Sequence, residues 1–333
     1  MRGVASRVGA KHVAVVCHRD LDGLASAAIL LSSRLAEDPS LKYFVRFAQP
    51  HELAAALAGL SSLPSLAEVY IIDVAVASDS WSEVKRLLQR LVERGVRVLW
   101  VDHHPSTAKR VGELENIGVE CRVGGTVSAA TLVRDFIPKT SSPEFYEKLA
   151  AIAEAYDGGY RAEGPLAEVM ETLADALALE PSDEEFLASL LAAWVKKREL
   201  IPDEAAERGE KALELFSELL RKAGENIVVD TPKLRVIDLR ETRVRGFAGK
   251  LLSMQVAETG KIVVLVFRLG SHSAVISARA PQDLHVDLNE LFSRVAAEYG
   301  GSGGGHARAA SLRVPLPYAD ITLKRLVEAL GAS

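Results

Sequence analysis

The stretch that decides the fold is Val96-Arg97-Val98-Leu99-Trp100-Val101-Asp102-His103-His104-Pro105. From Val96 to Val101 every residue except Arg97 is bulky and apolar. That is the pattern of a strand buried on both faces, not of an alternating, half-exposed one. One carboxylate and two imidazoles follow at its carboxyl end, and Pro105 stops the extended segment. Polar groups beside a core are expensive unless something pairs with them. In open α/β sheets the carboxyl ends of strands are where ligands sit. Taken alone, the triplet reads equally as a polar turn with two surface histidines. The two readings separate only if other strands end the same way.

Working outward, His12 to Cys17 reads as a first strand, followed by His18-Arg19-Asp20-Leu21-Asp22-Gly23 and a helix from Leu24 to Leu35. Small residues at Ala25, Ser26, Ala27 and Ala28 allow that helix to pack closely on a sheet. Tyr43 to Ala48 reads as a strand, Glu52 to Leu60 as a helix, and Val69 to Ile72 as a strand ending at Asp73. Between Trp81 and Arg94 the apolar positions Val84, Leu87, Leu88 and Leu91 recur near the helical period, and Gly95 supplies a stop. Strands alternating with helices predict a parallel sheet covered on both faces. After Pro105 come a strand at Val119 to Val123, a Gly124-Gly125 turn, and a helix from Thr126, its cap, to Phe136. A helix from Phe145 to Ala155 then runs into a Tyr156-Asp157-Gly158-Gly159-Tyr160 turn.

From Pro165 to Ala223 nearly everything is helical, and the composition changes at Gly224. Beyond it lie strands at 234–239, 261–268 and 273–279, helices at 245–257 and 287–299, and a glycine loop at 300–305 leading to His306. The expected fold is therefore α/β. It has an N-terminal parallel-sheet domain (1–160), a helical connector (161–223) and a smaller C-terminal α/β domain (224–333), with the active site in the interdomain cleft.

Composition narrows the function classes. A chain of 333 residues, 48% hydrophobic and 26% charged, suits a soluble globular protein of about two domains. A net charge of -5 argues against a globally basic nucleic-acid coat but leaves room for a basic groove. Cys17 and Cys121 are too few for a disulfide scaffold or a zinc cluster, which points to a reducing cytoplasm. The first ten residues lack the apolar run of a secretory signal, and no stretch approaches the length of a membrane span. Scarce asparagine (Asn116, Asn226, Asn289) and high charge lean toward a thermophile.

Three predicted strands end in metal-ligand types: His18, Asp20 and Asp22 after the first, Asp73 after the third, and Asp102, His103 and His104 after the fourth. Asp157 adds a further carboxylate. Mixed oxygen and imidazole donors without thiolates suit manganese or magnesium better than structural zinc. So many acids are too many for one ion, and crowding them without cations is destabilising. Two divalent ions about 3.5–4 Å apart, sharing one carboxylate, account for the set. Singly, each residue has an ordinary role: Asp20 or Asp22 as a helix cap, Asp73 as a loop acid, the glycine run as a linker. Their occurrence together, in order, at one sheet edge favours a site.

These motifs resemble those of the DHH phosphoesterases, in the branch that carries a DHH-associated C-terminal domain. The resemblance rests on His-Arg-Asp-Leu-Asp-Gly (18–23), Ile-Ile-Asp (71–73), Asp-His-His (102–104), Asp157, Ser-Ala-Arg (277–279) and Gly-Gly-Gly-His-Ala-Arg-Ala-Ala (303–310). The first motif and the Ser-Ala-Ala-Ile after it look most like archaeal RecJ-like nucleases. There are two departures: no glycine soon after Asp73, and Ser311 where glycine is common.

The resemblance implies one metal on His18, Asp20 and Asp73, and another on Asp22, Asp73, His103 and Asp157. It implies a phosphate-facing or proton-donating role for His104, with Asp102 orienting a histidine. Gly303, Gly304 and Gly305 would offer backbone N–H groups as an anion nest, beside His306 and Arg279. The implied function is a two-metal, manganese-dependent (alternatively magnesium- or cobalt-dependent) exonuclease releasing mononucleotides from single-stranded DNA or RNA. The alternatives are an oligoribonuclease or (cyclic) dinucleotide phosphodiesterase, a pyrophosphatase, and a replisome-associated subunit. Implied partners are single strands, short oligonucleotides and replication or repair proteins, with no membrane.

Overall fold

The computed structural model describes residues 12–60, 62–63, 65–139, 142–158 and 163–331. They fall into two compact units. The first comprises the chain up to Leu177 together with Pro181–Gly209; the second comprises Ala178–Glu180 and the chain from Glu210 onward. The expected domain boundary at 160/161 and the Gly159-Tyr160 part of the turn lie outside the described residues.

The first unit is built on strands β1 (His12–Cys17), β2 (Lys42–Phe47), β3 (Leu66–Ile72), β4 (Arg97–Asp102) and β5 (Glu120–Val123). They form one parallel sheet in the order β2-β1-β3-β4-β5. The apolar runs follow from burial on both faces. Val13, Val15, Tyr70, Ile72, Leu99 and Val101 pack into one core with the helices Leu21–Glu37 and Pro143–Gly158. Ala14, Val16, Val69, Ile71, Val98 and Trp100 pack into another with Leu53–Leu60 and Trp81–Glu93. Successive strand residues point to opposite faces, so a parallel sheet between two helical layers needs apolar residues at nearly every position. Residues Leu173, Leu177, Phe186 and Leu190 bring the helices Pro165–Leu179 and Glu184–Ala192 into the first of these cores.

The second unit carries a mixed sheet of β6 (Ile227–Asp230), β7 (Leu234–Asp238), β8 (Ile262–Leu269), β9 (Ser273–Arg279), β10 (Ser302–His306) and β11 (Ala309–Pro315). Its order is β10-β11-β9-β8-β7-β6, and only the β7–β8 pair is parallel. The fold is thus α/β in both units, with the parallel sheet N-terminal.

Three local expectations change. The first helix begins at Leu21, not Leu24, so Asp22 lies in its first turn. The helix after β5 is Ala129–Val133, capped by Ser128 and not Thr126, because the Ser128 hydroxyl accepts from the Thr131 amide. The glycine loop is an edge strand: β10 pairs antiparallel with β11 from Ser302 to His306. Among the described residues, no helix is long and apolar enough to cross a membrane.

Candidate metal centre

In the order β2-β1-β3-β4-β5 the chain moves from β1 outward to β2 and then returns to the other side of β1. The reversal opens a crevice at the carboxyl ends of β1 and β3, where open α/β sheets bind ligands. His18, Asp20 and Asp22 follow β1, Asp73 follows β3, and Asp102, His103 and His104 end β4. Asp157 arrives from the last turn of the helix Pro143–Gly158, not from a turn beyond it.

Each acid is fixed by local structure. Asp20 caps the helix Leu21–Glu37: its Oδ1 accepts from the Gly23 amide at 3.0 Å while its Oδ2 lies 2.7 Å from His18 Nδ1. One carboxylate therefore caps the helix with one oxygen and faces His18 with the other. Glycine at 23 is required by close approach, since a Cβ there would lie 2.7 Å from the His18 carbonyl oxygen and 2.8 Å from its Cβ. Asp22 is fully buried and accepts from the Ala129 and Ala130 amides at 2.6 and 2.9 Å, so it anchors the start of a distant helix. Asp73 has φ +58, the left-handed region, with its amide bonded to the Val101 carbonyl at 2.8 Å. That conformation costs a non-glycine residue about 1–2 kcal/mol.

These side chains converge in three groups, within each of which the donor atoms lie inside 4.8 Å of one another. The groups are His18, Asp20 and Asp73; Asp73, His103 and His104; and Asp22, His103 and Asp157. Asp73 divides its oxygens between them. Its Oδ2 is 3.8 Å from His18 Nδ1, whereas Oδ1 is 3.4 Å from His103 Nε2 and 3.8 Å from His104 Nδ1. His103 Nε2 is also 3.0 Å from Asp157 Oδ2. Asp102 is fully buried; its Oδ1 accepts from the His103 amide at 2.9 Å and lies 2.7 Å from His104 Nδ1. The histidine that Asp102 orients is thus His104.

The charge balance of this crevice is poor. Burial and the neighbouring Asp22, Asp20, Asp157 and Asp102 push the Asp73 carboxyl well above its ordinary range. Burial, Asp157 and Asp20 push Asp22 up to about 8. Burial works against a charged His18, yet the charge of Asp20 and hydrogen bonds to Asp20 and Gln49 outweigh it and raise the imidazole to about 9. His103 likewise rises to about 9 against burial, chiefly through Asp157. Asp73 is 2% exposed and its Oδ1 receives no hydrogen bond among the described residues. Surplus negative charge, an unsatisfied buried oxygen and oxygen–imidazole donors without thiolate fit divalent cations of the manganese or magnesium type.

Two partners were not anticipated from sequence. Gln49 lies 3.1 Å from His18 Nε2, and the helix start at Ala129 holds Asp22. Each had a signal: Gln49 stands just past the carboxyl end of the strand beside β1, and Ser128-Ala129-Ala130 is a capped helix start.

The remaining candidates all lie in the second unit. Arg279 on β9 and His306 on β10 are both opposite Ala309 on β11, so they stand in one cross-strand row. Gly303, Gly304 and Gly305 do not form the expected nest of consecutive amides, because they belong to β10 and pair with Leu312, Ser311 and Ala310. At Gly303 the small size has a packing cause. A Cβ on Gly303 would lie 2.8 Å from Leu312 Cβ and 3.0 Å from the Phe292 carbonyl oxygen, where the helix Leu288–Glu298 crosses the strand.

Comparison with known proteins agrees with this architecture. Residues 234–332 match the DHHA1 domain family. Among curated proteins, no match was found. Among solved structures, the chain is similar to a DHH domain described as a member of the s1p family of ribosomal proteins, with a TM-score of 0.68, 16% identity, and 96% of this chain and 86% of that one covered. It is similar to an exonuclease RecJ bound to manganese, with a TM-score of 0.61, 18% identity and 96% and 90% covered. It is also similar to a pGpG-specific phosphodiesterase, PggH, from Vibrio cholerae, with a TM-score of 0.58, 17% identity and 97% and 99% covered.

Proposed function

We propose that this chain, a protein of the DHH fold carrying a DHHA1 domain, is a metal-dependent phosphodiesterase that removes mononucleotides from an end of single-stranded DNA or RNA. The observation that carries the reading is the division of Asp73, whose two oxygens face different ligand groups. In this reading His18, Asp20 and Asp73 hold one divalent ion, and Asp22, Asp73, His103 and Asp157 hold the second. Manganese is the first choice, as in the RecJ structure of the same fold, with magnesium or cobalt as substitutes. When bound, such ions supply charge neutralisation of the phosphoryl oxygens and activation of water.

The chain's own residues do the rest. Asp102 holds His104 Nδ1, and the 27%-exposed side chain would meet a phosphoryl oxygen or give a proton to the leaving oxygen through Nε2. Arg279 and His306, in one row of the second sheet, serve phosphate binding, and Gly303 to Gly305 admit substrate close to the backbone of β10.

A second reading has its own support. This chain and the pGpG-specific phosphodiesterase match over 97% and 99% of their lengths, which favours a dinucleotide-sized substrate. One assay separates the two: the protein with manganese and end-labelled single strands of DNA and RNA from two nucleotides upward. A ladder shrinking from one end supports the exonuclease, whereas cleavage confined to the shortest species supports the dinucleotide enzyme. Asp73→Ala is expected to abolish either activity, and retained activity would overturn the shared-carboxylate assignment.

A further inference from the structure

The His18 ring has two nitrogens with different neighbours. Nδ1 faces Asp20 Oδ2 at 2.7 Å and Asp73 Oδ2 at 3.8 Å, while Nε2 lies 3.1 Å from Gln49 Oε1. Gln49 is held in place by several independent devices. Pro50 follows it and confines it to extended backbone, as its φ of -82 and ψ of 161 show. Its amide donates to Glu52 Oε2 at 2.9 Å, and the preceding Ala48 amide donates to the Cys17 carbonyl at 2.9 Å. Glu52 is itself clamped by Arg19, whose NH2 lies 2.9 Å from Glu52 Oε2 and donates to the Phe47 carbonyl at 3.2 Å. Arg19 stands between His18 and Asp20 in the sequence, so the motif supplies both the ligand and the anchor of the ligand's support.

We infer that Gln49 is a positioning residue of the centre. Its Oε1 accepts the Nε2 proton of His18, fixing the tautomer and ring angle that present the Nδ1 lone pair to a cation between Asp20 and Asp73. The physical reason is that a neutral imidazole carries one proton, and the nitrogen that keeps it is the one with a fixed acceptor. Without that acceptor the proton has an alternative home at Nδ1, beside Asp20, where it blocks coordination. Because the Gln49 backbone is fixed by Pro50, Glu52 and the β1 pairing, aiming its amide costs little further conformational freedom. Losing an outer partner of this kind weakens metal binding by about 10–100-fold.

The inference rests on the metal reading of the site, and the test keeps the two apart. Manganese affinity is measured by isothermal titration calorimetry on the full chain without substrate, for the parent, Gln49→Leu and Gln49→Glu. Gln49→Leu is expected to weaken one manganese site by about 10–100-fold, while Gln49→Glu, which keeps an acceptor, recovers most of that loss. In histidine-¹⁵N-labelled parent with magnesium, His18 is expected to show a protonated Nε2 and an unprotonated Nδ1, and Gln49→Leu is expected to lose that pattern. Parent-like affinity and ring shifts in Gln49→Leu would overturn the role of Gln49 while leaving the metal site standing. A parent that binds no divalent ion would overturn the site and this inference together.

Discussion

Removing metal from this centre should make the protein lose stability as pH rises, opposite to the behaviour of carboxylates whose folded pKa is lowered by ion pairing. The perturbation is chelation of divalent ions followed by a pH series. His18 and His103 are raised from an ordinary 6.5 to about 9 by the surrounding carboxylates. A group whose folded value is raised contributes stability that is complete below its unfolded value and is lost as pH climbs through the folded one. Each proton that the folded state holds in excess is worth about 1.4 kcal/mol per pH unit. Between pH 7 and 9 the two imidazoles together account for a loss on the order of 4 kcal/mol. Asp22, raised to about 8, works in the same direction, because its charged form is the disfavoured one in the fold. Asp20, held low by His18, has finished titrating well below this window and cannot reverse the trend.

The assay is urea unfolding at pH 6, 7, 8 and 9, once with chelator and once with saturating magnesium. The chelated series should fall with pH, and the magnesium series should lie higher and be flatter, since cations replace the protons. Calorimetry in two buffers of different ionisation enthalpy should show proton release on metal binding at pH 7. A chelated protein as stable at pH 9 as at pH 7 would refute the reasoning, because the crevice would then carry no uncompensated charge.

Further outcomes follow from single residues. Asp22→Asn removes a buried charge worth on the order of 5 kcal/mol at pH 9, against about 1–3 kcal/mol for the helix amide that then meets its NH2. The metal-free variant should therefore unfold at higher urea than the parent at pH 9, yet gain less from added magnesium. Gly23→Ala drives a Cβ into His18 and should cost about 1–3 kcal/mol, with a parallel loss of manganese affinity seen by calorimetry. Gly303→Ala should destabilise the second unit by a similar amount through Leu312 and Phe292, with manganese affinity of the first unit unchanged.

The parallel sheet was legible because both of its faces are buried: β1, β3 and β4 are apolar at nearly every position, and their ends are marked by charged motifs. The candidate site residues stood out for the same reason, since Asp73 and the Asp102 triplet break those runs. What sequence hid were contacts made at a distance. Nothing near Asp22 in the chain announces that Ala129 and Ala130 will bind it. Gln49 carries no charge and lies outside every motif, so only the β1–β2 pairing brings it to His18. The glycines of β10 misled because a glycine run looks alike whether it frees a loop or lets a helix approach a strand.

Asp73 gathers the costs of the site in one residue. It has no candidate ligand beside it in sequence, takes a left-handed backbone, keeps an oxygen without a donor among the described residues, and faces carboxylates on several sides. None of these stabilises the fold by itself: strain of about 1–2 kcal/mol and an unsatisfied buried acceptor worth about 1–3 kcal/mol both oppose it. The strand order supplies the reason for the position, since the end of β3 is the place in this sheet that lies next to the loops after both β1 and β4. A carboxylate there can reach His18 with one oxygen and His103 with the other, and no residue on β1 or β4 has that central position. In the proposed two-metal reading the local cost is offset by cations on both sides of the carboxylate, which would make folding of the crevice and metal binding one linked equilibrium.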